Sequence, residues 1–67
     1  MRIVLNGDPV DTAAATVRTL LDEQGIDAEA RGVAVAVNAA VAPRGAWAET
    51  VLAEGDAVEI VKPFRGG

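Results

Sequence analysis

Only one stretch of this chain carries a helical period, and that limits the fold more than any other feature. Val17, Leu20 and Leu21 recur at i, i+3 and i+4, with Arg18, Asp22 and Glu23 on the other side. Thr16 is placed to cap the start and Gly25 to end the helix as its C′ residue. A helix of two to three turns is marginal alone in water, so this one must lay its Val-Leu-Leu stripe on another element. No second helix is available, and the remaining apolar runs read as strands. The expected architecture is α+β, a mixed four- to five-stranded sheet packed on one main helix.

The strands follow from period and punctuation. Ile3-Val4-Leu5 runs into Asn6-Gly7, the dipeptide best suited to the two positive φ angles of a type I′ hairpin turn. The returning arm, Asp8-Pro9-Val10-Asp11, contains a proline and belongs at a sheet edge. Asp27 to Gly32 reads as a polar connection into Val33-Ala34-Val35-Ala36-Val37, where large and small residues alternate with period two. Asn38 closes that strand, and Val41-Ala42 forms a brief return before Pro43. Arg44 to Thr50 reads as a loop or single helical turn. Within it Trp47 is expected to cover one edge of the core, and Arg44 to be solvated; the alternative for each is a partner contact. Glu54-Gly55-Asp56 turns the chain into a last strand, Ala57 to Lys62.

Parity in the first and last strands divides the sheet's two faces. Ile3, Leu5, Val58 and Ile60 are set to face the helix, leaving Val4, Glu59 and Val61 on the other side. With no helix to cover that side, Val4 and Val61, with Phe64 just beyond, are candidates for an exposed docking patch.

Composition narrows the function. The 67 residues make one domain, which at this size buries only about 60% of the surface its unfolded chain exposes. Its 51% hydrophobic content argues against disorder, and a net charge of −4 argues against nucleic acid as partner. Histidine, serine, tyrosine and cysteine are all absent, so neither a Ser-His nor a Cys-His nucleophilic site can be assembled. No thiolate is present to bind a metal, and no metal site is expected. No apolar run reaches membrane-spanning length, and Gly7 interrupts the first apolar residues before a signal-sequence core could form. The expectation is a soluble, cytoplasmic protein that is not itself an enzyme and engages no membrane.

The chemistry then falls to the end of the sequence, Lys62-Pro63-Phe64-Arg65-Gly66-Gly67. Two residues without Cβ atoms can lie extended in a channel too narrow for any others, bringing a terminal carboxylate unhindered to a reactive centre. A domain spanning 1–63 followed by a flexible diglycine tail spanning 64–67 is the expected organisation, with a reach of roughly 13 Å for the tail. Condensation with a nucleoside triphosphate would turn that carboxylate into an acyl-adenylate open to sulfur or amine nucleophiles. No glycine-rich phosphate loop is present, so ATP and magnesium would be bound by a partner and no cofactor by this chain.

Taken in order and spacing, several pieces resemble the ubiquitin-like β-grasp sulfur carriers, and most closely the ThiS family of thiamine biosynthesis. They are the opening strand with Asn6-Gly7, Thr19-Leu20-Leu21, Ala34-Val35-Ala36-Val37-Asn38, Pro43-Arg44 followed by Trp47, Gly55-Asp56 before Val58-Glu59-Ile60, and Gly66-Gly67. The resemblance covers essentially the whole chain. It implies that Gly67 is adenylated by an E1-like enzyme of the ThiF type and converted to a thiocarboxylate, with sulfur from a donor such as a cysteine desulfurase. The sulfur would pass to a ThiG-type thiazole synthase, with Phe64, Arg65 and Gly66 threading into partner sites. The ending departs from the more hydrophobic or small-residue tails of these carriers, and Arg65 before the diglycine is similar to ubiquitin. A carrier for molybdopterin or cysteine synthesis, related to the molybdopterin synthase small subunit, remains open on the residues. So do a protein modifier and a passive interaction module.

Overall fold

The computed structural model describes residues 1–63, and the expected tail, 64–67, lies outside that span. Strands β1 (Arg2–Leu5) and β2 (Asp8–Asp11) form the expected hairpin, with Leu5 opposite Asp8. Asn6 and Gly7 have φ of 49° and 87°, as a type I′ loop requires. β2 lies at the sheet edge, where Pro9 deprives no neighbouring strand of a donor.

Helix α1 (Val17–Glu23) begins at the Thr16 cap. All four N–H groups that a helix start leaves unpaired find acceptors. Those of Thr16 and Thr19 donate to each other's hydroxyl oxygens at 3.0 and 3.2 Å. Val17 N–H reaches the Thr50 carbonyl at 3.0 Å and Arg18 N–H the Trp47 carbonyl at 3.1 Å. No donor is left there for an anion. At the other end Gly25, with φ of 72°, donates to the Asp22 carbonyl and Ile26 to that of Leu21, a complete Schellman motif. Ile26 is thereby turned back onto the core.

Strands β3 (Ala34–Val37), β4 (Ala40–Ala42) and β5 (Ala57–Val61) complete a sheet of five, in the order β2-β1-β5-β3-β4. β5 runs parallel to β1 and antiparallel to β3. A single 3-10 turn, Arg44–Ala46, follows β4. The helix covers one face, enclosing Ile3, Val17, Leu20, Leu21 and Val58 completely, with Val35 and Ile60 also buried. The predicted parity of β1 and β5 holds. Trp47 is buried at the margin of this core, its Nε1 donating to the Ala42 carbonyl at 2.7 Å, so the tryptophan is a core residue and not a partner anchor.

Three local expectations need correction. Asn38 does more than close a strand: Asn38 and Ala39, with φ of 51° and 69°, form the two-residue loop of a second hairpin, which an alanine gives no sign of in sequence. The connection from Asp27 to Gly32 is not simply polar, because Ala28 is buried in the core and Ala30 packs against it. Arg44 is exposed but not free. Its guanidinium donates to the carbonyls of Ala28 and Ala30, the latter at 2.6 Å, and stacks 4.8 Å over the Trp47 ring. One side chain thus satisfies the backbone of the connection and presses it onto the tryptophan.

Candidate functional site

The groups available for function line β5 from its first residue to the point where it hands the chain on to the tail. Two asparagines, each with a positive φ just after a strand, hold β5 from either side. Asn6 Oδ1 accepts from Ile60 N–H at 2.8 Å while its Nδ2 donates to the Ile60 carbonyl at 3.3 Å. Asn38 Oδ1 accepts from Ala57 N–H at 2.9 Å, and its Nδ2 donates to Asp56 Oδ1 at 3.0 Å. Both act as stand-in backbone, extending the ladder past the ends of β1 and β3. Sequence reasoning credited Asn6 with a turn and missed this grip. The only sequence signal is an asparagine, and not another turn residue, at the left-handed position.

Beyond Ile60, Val61 still pairs with Ala34. Pro63 then rests against Gly32, whose φ is 86°: a Cβ at Gly32 would stand 2.9 Å from the Pro63 Cβ. Next to this contact is a groove of about 370 Å³ lined by Ile26, Ala30 and Val33, by Asp27, and on the tail side by Lys62 and Pro63.

The outer face of the sheet is open, its apolar residues interrupted by Glu59 and by the Arg2–Asp11 pair. Val4 lies beside Ala57, and Val61 beside Ala34, with 37% and 60% of their surfaces exposed. Between those rows Glu59 pairs with Ala36, which in turn pairs with Val41 on β4. Val4 and Val61 therefore share a face without touching, since four residues of β5 separate their rows by roughly 13 Å. The third member expected there, Phe64, lies outside the described residues, as do Arg65, Gly66 and Gly67.

The Arg2 guanidinium, 3.0 Å from Asp11 Oδ1, holds that carboxyl below the usual aspartate value by hydrogen bonding first and charge second. Both side chains are exposed at the sheet edge. Among the described residues no helix is long and apolar enough to cross a membrane, and no three acidic side chains converge as a cation site.

The sequence model of the ThiS family matches residues 3–67. The sulfur carrier protein ThiS of Escherichia coli is 32% identical, with both chains covered completely. A thiazole synthase of Paramagnetospirillum magneticum is 38% identical across all of this chain, which spans only 20% of that protein's length. The crystal structure of the thiamine biosynthesis protein ThiS from Geobacter metallireducens superposes with a TM-score of 0.79 at 34% identity, and covers both chains in full.

Proposed function

The chain belongs to the ThiS family, and from that membership we propose that it is the sulfur carrier for the thiazole ring of thiamine, working through the carboxylate of Gly67. The carrying observation is a family match that runs through Gly66 and Gly67 on a body with the same fold as a ThiS crystal structure. In this reading an oxygen of the Gly67 carboxylate attacks the α-phosphorus of ATP and pyrophosphate leaves. A donor persulfide then displaces AMP at the carbonyl carbon, and a thiol cleaves the resulting acyl disulfide, taking the donor sulfur into a new disulfide and leaving a thiocarboxylate on Gly67. An E1-like partner of the ThiF type binds the ATP and magnesium, and a sulfur donor such as a cysteine desulfurase supplies the sulfur. Residues 1–63 serve as the body held by these partners and 64–67 as the tail that enters their sites, with Val4, Val61 and Phe64 on the side presented for docking.

The thiazole synthase relative supports the choice of acceptor. A segment matching this entire chain occurs within a longer protein bearing that name, as expected if carrier and synthase work on the same sulfur. ATP-dependent activation of this kind belongs in the cytoplasm.

The test is an intact mass with fragmentation, before and after incubation with ATP, a sulfur donor and an E1-like enzyme. A replacement of oxygen by sulfur localised to Gly67, and lost on deletion of Gly67 from a chain that still folds, is the expected result. Sulfur transfer that survives the deletion would overturn the reading. Conjugates on lysines of other proteins would move it to the modifier class.

A further inference from the structure

The β3–β5 ladder ends at an unusual rung. Its last pairing is Ala34 with Val61, and continuing the antiparallel register by two places sets Gly32 opposite Pro63. β5 ends at Val61, and Pro63, with no N–H to donate, cannot carry the ladder further. Gly32 is what lies against it there. A Cβ on Gly32 would meet Pro63 Cβ at 2.9 Å and its Cα at 3.5 Å. The first atom belongs to a ring rigidly attached to the backbone, so the conflict could be relieved only by moving the chain at Pro63 itself. Gly7, Gly25 and Gly55 also have positive φ, but a Cβ on any of them would meet nothing within 4 Å. Gly32 combines the two properties: a left-handed backbone and a neighbour that leaves no room.

We infer that Gly32 is a positioning residue for the tail: its bare Cα lets Pro63 settle against the end of β3, and this contact fixes the direction in which the chain departs from the body. Two anchors precede it on β5, the Asn6 grip on Ile60 and the Val61–Ala34 pairing. The Gly32–Pro63 contact is the third and last before the tail. With the body docked, a small rotation at Pro63 swings a terminus roughly 13 Å away. An ångström-scale error at a reacting centre lowers rates by on the order of 10²-fold. The inference concerns the geometry of this chain, and its consequence for activity rests on the carrier reading above.

The test separates the contact from the backbone strain that any side chain would meet at Gly32. Gly32→Ala and Gly32→Asn are made in the natural chain and in a Pro63→Gly background, and all are compared with their own parents. Asparagine tolerates the left-handed region and brings the same Cβ, so it keeps the test alive if the alanine variant fails to fold. In the natural background, kcat for ATP-dependent thiocarboxylate formation is expected to fall on the order of 10²-fold with little change in KM, because the docking face is untouched. In the Pro63→Gly background the same substitutions should change kcat by less than about twofold, because the added Cβ no longer meets a Pro63 Cβ, and this non-additivity is the signature of coupling between the two positions. Equal losses in both backgrounds would mean strain alone, and would overturn the inference. A partner-free arm reads the amide 1H–15N resonances of Lys62 and Phe64, which should shift on Gly32→Asn in the natural chain only. If no E1-like enzyme activates the parent, the carrier reading fails, while this second arm still decides the role of Gly32.

Discussion

Asn6 holds Ile60 by both polar atoms of its side chain, accepting from the Ile60 N–H and donating to the Ile60 carbonyl across 54 residues of sequence. A residue of the first turn thereby becomes part of the ladder that secures the last strand. The left-handed backbone at Asn6, with φ of 49°, is what brings the amide over β5, so the turn and the grip are one device.

Asn6→Ala should lose both hydrogen bonds while keeping the positive φ in a residue that tolerates it less well, lowering stability by about 2 kcal/mol. Asn6→Gly relieves the backbone but not the lost bonds, and should fall between alanine and the natural residue. Urea denaturation of the three proteins measures both steps.

Ala39 occupies a left-handed position with φ of 69° that alanine adopts at a cost. Ala39→Gly is expected to stabilise the protein by about 1 kcal/mol, the strain relieved less the entropy glycine gives the unfolded chain. The melting temperature should rise by about 7 °C for a domain of this size.

Arg44→Ala removes the donors that satisfy Ala28 and Ala30, together with the stacking on Trp47. A loss of about 2 kcal/mol is expected, with faster amide exchange in residues 28–33. Arg44→Lys should recover little of it, because an ammonium cannot span two carbonyls and stack at once.

Stability should depend on Asp11 at acid pH. Its carboxyl is held below the usual aspartate value by Arg2, so the folded state favours the charged form. The contribution is full above the unfolded value near 3.8 and is lost as pH falls through the lower folded one. In denaturation from pH 6 down to the acid limit, Asp11→Asn should flatten the acid slope, and added salt should shrink the difference because the pair is exposed.

On the outer face, Val61→Glu should leave stability within about 0.5 kcal/mol, since 60% of the valine surface is already in solvent. It should raise KM for activation by an E1-like partner, and an unchanged KM would remove Val61 from the docking surface.

What could be read in the sequence was whatever its local period encodes. The Asn6-Gly7 hairpin, the Thr16 cap, the Val17-Leu20-Leu21 stripe and the parity of β1 and β5 all depend on neighbours a few residues apart. What could not be read depends on distant partners. Nothing near Arg44 announces that its guanidinium meets the carbonyls of Ala28 and Ala30, or that those contacts let Ala28 sink into the core. Gly32 gave no hint that Pro63 would lie against it, because that proximity exists only once β3 and β5 have paired. The chemistry proposed for Gly67 rests on a different kind of signal, since a diglycine ending is a property of composition and order, not of packing.

The position of β5 also bears on how this protein is made. It is the last strand in sequence and the middle strand in space, with the β1–β2 hairpin on one side and the β3–β4 hairpin on the other. On a ribosome both hairpins emerge before the strand that joins them, so the sheet cannot close until Ala57 to Val61 have been released. The residues that complete the fold and those proposed to carry sulfur are therefore delivered nearly together. Chains terminated before Ala57 lack the strand that joins the two hairpins as well as the residues proposed to carry sulfur.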